Sequence, residues 1–469
     1  MKKNTLIIGA GEAGRMIAKE ILDNTKISSH YSLLGFLDDD EKKKSFYGVP
    51  VLGKLSDSDT LISRYSVQSV IIAIPSAPRE LITETVLKFS NMKLEIRIVP
   101  GIFEIIEGNV SWTQIREVKP EDLLGREEVG FDLEELSPFY QDKTVLVTGA
   151  GGSIGSQIFR ELLKLPIQKI IALGRGENNI HTLMTEHGHD PRMSYIIGDV
   201  RDYQKLLFEF RACRPDIIFH AAAHKHVPMM ENFPDEAVKN NIIGTYHTAL
   251  AALESGVSQF VMVSTDKAVR PKSVMGASKR MAEKICLSFN QHKKTHFILT
   301  RFGNVLGSRG SVIPTFMKQI EKGGPVTITH PEIERYFMSI PEAARLVIKS
   351  ASLPQGDIFV LNMGRPIRIL ELAKNLIRLS GRNEEDIPIV YTGLRKGEKI
   401  QEELFHEKEK LTPTRYEKLM ILDSESEVFD LNFLDILLNE FQEAAQKIDK
   451  AAILLLLKKY LNDFSGDNQ

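Results

Sequence analysis

The sequence predicts an α/β protein made of two doubly wound, Rossmann-like domains, the second carrying a small α/β substrate lobe. Three observations carry this. A short apolar run, Thr5-Leu-Ile-Ile, leads into Gly9-Ala-Gly11-Glu-Ala-Gly14 and then a helical stretch. The same grammar restarts at Lys143, where Thr144-Val-Leu-Val-Thr148 leads into Gly149-Ala-Gly151-Gly152-Ser153-Ile154-Gly155 and a helical pattern over Ser156–Lys164. After each opening, short and continuously apolar segments alternate with helical ones. A strand apolar on both faces belongs to a parallel sheet covered by helices on both sides.

In the first domain, strand candidates end at Leu37, before Asp38-Asp39-Asp40, and run over Ser69–Pro75 and Leu94–Pro100. The domain is placed at residues 1–106, with a boundary near Ile106. Residues 107–142, including Glu117-Val-Lys-Pro120-Glu-Asp and Gly125-Arg-Glu-Glu, read as a charged, irregular linker. Residues 143–469 form the larger domain. Its strands are expected at Thr144–Thr148, Lys169–Leu173, Tyr195–Ile197, Ile217–His220, Phe260–Ser264 and Phe297–Arg301. Beyond Arg301 the alternation loosens. Short strands (Val326–Thr329, Phe359–Asn362, Ile389–Tyr391) mix with helices (Glu342–Ser350, Leu370–Leu379), as in an appended lobe, and Leu431–Asp463 is helical by periodicity.

At 469 residues there is length for two or three cores. A formal charge of −2 argues against a general nucleic-acid binder. Cys213 and Cys286 lie far apart in apolar segments, which suits buried thiols in a reducing compartment better than a zinc site or disulfide. The most apolar run, Ala451–Leu457, is too short to span a bilayer and is followed by Lys458 and Lys459. A cytoplasmic protein is expected, with no membrane span in this chain, no metal site and no nucleic-acid partner.

Each glycine turn follows a strand and opens a helix, the setting in which glycines let the backbone approach a pyrophosphate at a helix N-terminus. In the first domain two readings stay open: Asp38 accepts from a ribose hydroxyl, or the turn binds nothing. The second turn has more support. Gly149, Gly152 and Gly155 keep the GxxGxxG spacing, with Ser153 and Ile154 beside them. Asp199 and Val200 follow the third strand, where a carboxylate meets the adenine, and Ala221, Ala222 and Ala223 follow the fourth, small enough for a dinucleotide to lie close. After Leu173, where an acid would hold the ribose of NAD, stands Arg175, the device for a 2′-phosphate. NADP is therefore favoured over NAD, unless Arg175 is a solvated loop residue and Glu177 serves the ribose.

The fifth strand ends in Ser264-Thr265-Asp266-Lys267, followed by Met275-Gly-Ala-Ser-Lys279. With the turn at Gly149, this resembles an extended short-chain dehydrogenase/reductase. Further motifs are His220-Ala-Ala-Ala-His-Lys225-His226, Arg301-Phe-Gly-Asn304-Val-Leu-Gly-Ser-Arg309, Arg335-Tyr-Phe-Met and Gly393-Leu-Arg395-Lys-Gly-Glu398-Lys. They are similar to those of the capsule and glycan-biosynthesis UDP-N-acetylglucosamine 4,6-dehydratases, and the likeness covers nearly the whole chain.

The resemblance implies oxidation at sugar carbon 4, loss of the carbon-5 proton and the 6-hydroxyl, and reduction at carbon 6. Asp266 and Lys267 are then expected as acid and base, Lys267 with a lowered pKa beside Lys279. Thr265 would hold the 4-hydroxyl, and Lys279 the nicotinamide ribose. Lys225, His226, Asn304, Arg309, Arg335, Arg395 and Glu398 are the substrate-side candidates; His224 and His226 would line the pocket. Arg301, Arg309, Arg335 and Arg395, if they converge, would neutralise a nucleotide diphosphate.

One position departs from the superfamily pattern: Met275 stands where a tyrosine normally takes the 4-hydroxyl proton. Long dehydratases of this family share the methionine, and the resemblance implies retention at carbon 5. Asp266 or a water held by Thr265 are the candidates for the missing base. Long members also carry membrane helices ahead of the first domain, and a homo-oligomer is expected. The competing readings are a nucleotide-sugar 4-epimerase, which wants the tyrosine and no elimination pair, and a non-catalytic cofactor-binding scaffold.

Overall fold

The computed structural model describes residues 2–90, 92, 94–99, 112, 115–120, 122, 130, 132–406, 409–423 and 428–466. By contact the chain divides into two units. One comprises Met1–Gly130, Gly310–Ile328 and Ile369–Tyr391; the other comprises Phe131–Arg309, Thr329–Arg368 and Thr392–Gln469. The expected class, two doubly wound α/β domains, is what the two sheets form.

The first unit is built on a seven-stranded sheet of β1 (Lys3–Ile8), β2 (Tyr31–Leu37), β3 (Ser45–Phe46), β4 (Val49–Gly53), β5 (Ser69–Ile72), β6 (Glu95–Ile98) and β7 (Arg116–Glu117), in the order β3-β4-β2-β1-β5-β6-β7. Its central pairings are parallel, while β3 and β7 close the two edges antiparallel. Leu6, Ile7, Val70, Ile71 and Ile72 are wholly buried, which is why these strands read as unbroken apolar runs. The helices Val312–Glu321 and Ile369–Leu379 and the strand pair Val326–Ile328/Ile389–Tyr391 group with this unit, although the sequence pattern placed them in the lobe of the second domain.

The second unit carries a nine-stranded sheet. Its strands are β8 (Thr144–Thr148), β9 (Lys169–Gly174), β10 (Met193–Ile197), β11 (Ile217–His220), β12 (Gln259–Val263), β13 (His296–Arg301), β14 (Ile358–Leu361), β15 (Lys410–Pro413) and β16 (Leu419–Asp423). The order is β10-β9-β8-β11-β12-β13-β14-β16-β15, parallel as far as β14 and antiparallel beyond it. The strand order reverses direction beside β8. In such sheets the crevice at that point, beyond the carboxyl ends of the strands, receives the ligand.

Two expectations need correction. Residues 107–142 are not uniformly irregular: Leu133–Tyr140 is a helix capped by Asp132, and its fully buried Tyr140 donates to the Ile348 carbonyl at 2.7 Å. Its charged sequence concealed an apolar face. Likewise the helical tail is two helices, Leu431–Gln446 and Lys450–Tyr460, separated at Ile448, where φ is +55°, and restarted by the Asp449 cap. The boundary near Ile106, Pro100 and the Gly125-Arg-Glu-Glu segment lie outside the described residues. Among the described residues no helix is long and apolar enough to cross a membrane.

Candidate active site

The chain leaves β8 at Thr148 and turns at Gly149, where φ is +65°. A Cβ there would lie 2.7 Å from the Ala222 nitrogen, so β8 and β11 end too close together for any side chain. Gly155 lies on the inner face of the helix Ser153–Leu162, where a Cβ would meet the Gly149 carbonyl oxygen at 2.3 Å. Gly152 caps that helix, and Ser153, Ile154 and Gly155 form its first turn, whose N–H groups have no acceptor within the helix. The turn opens on a cavity of about 310 Å³ lined by Gly149, Gly152, Arg175, Asp199, Val200, Ala221–Ala223, His224, Asn240 and Arg309. The glycine cradle, the helix terminus and the small residues at the end of β11 suit a dinucleotide. Gly155→Ala is expected to push the helix off the turn and cut retained dinucleotide about tenfold or more, read by denaturing the purified protein and quantifying what is released.

Arg175 is exposed in this cavity, its guanidinium 3.8 Å from the Asp199 carboxylate. Asp199 is engaged more firmly by Arg201, at 2.7 and 3.0 Å through the side chain and 3.0 Å through its N–H. Burial by itself would raise the Asp199 carboxyl; the Arg201 contacts outweigh it and hold the group below the ordinary carboxylate range. Arg309, expected on the substrate side, belongs to the same cavity. Its N–H meets Ser153 Oγ at 3.4 Å and its guanidinium meets Asn179 Oδ1 at 3.1 Å. Lys225 falls below its ordinary value through burial and then the Arg309 charge, and His224 and His226 fall below theirs chiefly through burial.

Asn240 and Asn241, absent from the candidates the sequence offers, lie in a π-helical stretch, Val238–Ile243. Asn241 accepts from the His224 N–H at 2.8 Å and donates to the His224 carbonyl and Ser278 Oγ, both at 2.9 Å. It ties the loop after β11 to the helix Val274–Phe289. Two adjacent amides inside an apolar helical pattern were the available signal, since buried amides must find partners and π-bulges gather at functional sites.

The candidate acid and base from sequence lie on the turn after β12. Its backbone is pinned to the neighbouring strand: Ser264 N–H donates to the Thr300 carbonyl at 2.7 Å and Asp266 N–H to the Phe302 carbonyl at 3.0 Å. Thr265 caps the short 3₁₀ turn Asp266–Ala268, and its hydroxyl donates to Asp266 Oδ1 at 2.8 Å. Lys267 Nζ donates to the same Oδ1 at 3.1 Å and to Asn304 Oδ1 at 3.3 Å, and stands 3.4 Å from Glu402 Oε1. Asp266 is fully buried, and its Oδ2 has no hydrogen-bond partner among the described residues. Gly303 packs closely against that oxygen: a Cβ there would lie 3.2 Å from it and 3.0 Å from Tyr336 Cβ.

The expectation of a depressed Lys267 is corrected. Burial alone would lower it, but the Asp266 and Glu402 carboxylates outweigh burial and raise it above the ordinary lysine value. Lys267 is thus an ammonium at neutral pH. Lys279, in contrast, is depressed to about 8 by burial, with its Nζ donating to the Val263 carbonyl at 2.8 Å. Met275, one turn before Lys279 on the same helix, is buried and brings no proton-transfer group to the site.

The arginines do not converge. Arg301 is buried and forks onto Glu283 with two contacts of 2.8 Å. The Arg335 guanidinium donates to the carbonyls of Glu334, Lys399 and Ile400 at 2.6–3.0 Å and approaches Glu398 at 3.5 Å. Arg395 is exposed, and its N–H caps Glu398 Oε2 at 3.1 Å. Glu398 therefore braces its own loop. In the first unit, Asp38 accepts from the Ala10 N–H of the glycine turn at 2.6 Å and from Lys43 at 2.9 Å. That carboxylate is occupied with its own turn.

A family model described as polysaccharide biosynthesis protein matches residues 145–424. The chain belongs to that family. A model described as a CoA-binding domain matches residues 1–100. The chain is 46% identical over 428 residues to the capsular polysaccharide biosynthesis protein CapD of Staphylococcus aureus, covering 89% of this chain and 71% of that one. It is 48% identical over 411 residues to the probable polysaccharide biosynthesis protein EpsC of Bacillus subtilis, covering 86% and 68%. A UDP-glucose 4-epimerase of Rickettsia bellii is 37% identical over 279 residues, covering 58% of this chain and 80% of that one. Among solved structures, Pen from Bacillus thuringiensis superposes with a TM-score of 0.56 at 31% identity, covering 64% of this chain and 98% of that one. Both the family and the fold agree with what the motifs resembled.

Proposed function

We propose that this chain is a nucleotide-sugar 4,6-dehydratase that takes UDP-N-acetylglucosamine to its 4-keto-6-deoxy product. The observation that supports this reading above all is a buried carboxylate, Asp266, accepting through Oδ1 from the half-buried Lys267 ammonium at the carboxyl end of β12. Oxidation and reduction alone need no such pair; elimination of water across carbons 5 and 6 does.

When bound, a nicotinamide dinucleotide supplies the transient redox chemistry that makes carbon 4 a ketone; Gly149, Gly152, Ser153, Arg175, Asp199 and Lys279 would hold it. Exposed Arg175 supports NADP. Identifying the dinucleotide released from denatured protein tests this, and Arg175→Ala is expected to move preference towards NAD by about tenfold.

Proton movements fall to the chain itself. An ammonium has donors and no acceptor, so Lys267 delivers a proton to the departing 6-hydroxyl, and Asp266, through its unpartnered Oδ2, removes the carbon-5 proton. This reverses the roles expected from sequence, where Asp266 was the acid. Thr265 Oγ1, Asp266 Oδ1 and Lys267 Nζ form a continuous file of 2.8 and 3.1 Å. The 4-hydroxyl proton passes to solvent through a water held by Thr265, and Lys267, after giving its proton to the departing hydroxyl, is reprotonated from solvent, so the site needs no tyrosine at position 275. One carboxylate that removes the carbon-5 proton, exchanges it with solvent and reprotonates the same face gives retention there.

The test is incubation with UDP-N-acetylglucosamine in deuterated water, followed by NMR. A 4-keto-6-deoxy product with unchanged carbon-5 configuration and deuterium at carbon 5 is expected. A 4-epimer in its place would establish the epimerase reading, and bound dinucleotide without turnover the scaffold reading.

A further inference from the structure

The segment following Glu398 is clamped over the catalytic turn by contacts that no motif assigned. Lys399, 8% exposed, donates from Nζ to the Val269 carbonyl at 2.9 Å. Arg335 holds the Lys399 and Ile400 carbonyls, and Glu403 pairs with Arg270. Between these anchors Glu402 is turned inward. It is 7% exposed, with Oε1 at 3.4 Å from Lys267 Nζ and 4.0 Å from Arg335 Nε, while Oε2 is buried without a hydrogen-bond partner among the described residues.

A buried carboxylate is costly unless cations face it, and Arg335 is already committed to backbone carbonyls. We propose that Glu402 is a positioning residue of this site: its carboxylate fixes the Lys267 side chain against Asp266 and keeps it in the proton-donating form. Lys267 then stands between two carboxylates on different segments, Asp266 on its own turn and Glu402 across from it, with Asn304 as a third, neutral contact. The charged groups facing Lys267 are Asp266, Glu402 and Arg335. The first two raise its proton affinity; Arg335 opposes them. Gly276 supports the same geometry from below, since a Cβ there would meet the Lys267 carbonyl oxygen at 2.2 Å.

The decisive experiment follows Lys267 directly. Trace acetylation of the whole protein across alkaline pH, with the Lys267 peptide quantified by mass spectrometry, gives the pH at which that amine becomes reactive. In the unmodified protein the midpoint is expected above the ordinary lysine value of about 10.4. Glu402→Gln is expected to lower it by about one pH unit or more, and Glu402→Asp by less. An unchanged midpoint in a Glu402→Gln protein of unchanged melting temperature overturns the proposal. If the glutamine variant does not fold, Glu402→Asp is read instead, and a midpoint equal to that of the unmodified protein again overturns it.

A turnover consequence rests on the dehydratase reading. Glu402→Gln should lower kcat about 10- to 100-fold with little change in KM, with the alkaline limb of the pH profile moved to lower pH. Because the acetylation readout needs no substrate, an unmodified protein that does not dehydrate the sugar sinks the dehydratase reading and leaves the role of Glu402 to be decided by the titration.

Discussion

Lys267→Met should lower kcat for UDP-N-acetylglucosamine by about 10²- to 10⁴-fold, the range for loss of a positioned acid, with the content of bound dinucleotide unchanged. Methionine keeps much of the length and volume of lysine but carries no proton. Asp266→Asn is the companion. It preserves shape and burial while removing the acceptor, so deuterium wash-in at carbon 5 should disappear. The assigned roles predict different residual behaviour: Lys267→Met keeps carbon-5 exchange while water loss is blocked, whereas Asp266→Asn loses both. Exchange persisting in Asp266→Asn and vanishing in Lys267→Met would restore the opposite assignment. NMR of the sugar in deuterated water distinguishes them in one series.

Arg301→Met is expected to destabilise the fold by about 3–5 kcal/mol at neutral pH, measured by urea unfolding, because it strands a buried carboxylate. Arg301 and Glu283 are 1% and 0% exposed, and Glu283 also accepts from Ser264 Oγ at 2.6 Å and Arg280 at 3.1 Å. Burial alone would raise Glu283. Arg301 foremost, then Arg280 and Ser264, reverse this and bring it to about 2. A carboxyl lowered on folding stabilises above its unfolded value near 4.5, and that contribution, worth roughly 3 kcal/mol, is lost as pH falls from about 5 towards 2. Unmodified protein should therefore lose stability steeply across that acid window, and Arg301→Met should show a smaller loss there from an already lower plateau. Equal slopes would mean that Glu283 is not the group responsible. Since Ser264 adjoins Thr265, the same substitution should also loosen the turn after β12.

Much of this was readable in the chain. The parallel sheets were legible because a strand covered on both faces must be apolar throughout, and Thr144–Thr148 and Ile217–His220 coincide with β8 and β11 residue for residue. The glycine turn was legible because only glycine satisfies the approach of β8 to β11. The edge hairpin of β15 and β16 was missed: Lys410–Pro413 is only partly buried, so its pattern resembles a loop. The helix Leu133–Tyr140 was missed because its acidic first turn masked the face that buries Leu136 and Tyr140.

The site divides along the same line. Residue identity named the candidate groups: Asp266 and Lys267 are adjacent in sequence, and Met275 carries no transferable proton wherever it lies. What each group does depends on charges distant in sequence. Glu402 comes to Lys267 from 135 positions away and with Asp266 holds that lysine as a cation where adjacency had suggested a base. Arg301 had the appearance of a phosphate ligand, but its charge is engaged by the buried Glu283. Periodicity and local spacing report which faces are buried and which turns the backbone can make. Proton affinity is set by the field of neighbours at 3 to 4 Å, and only the folded chain decides who those neighbours are.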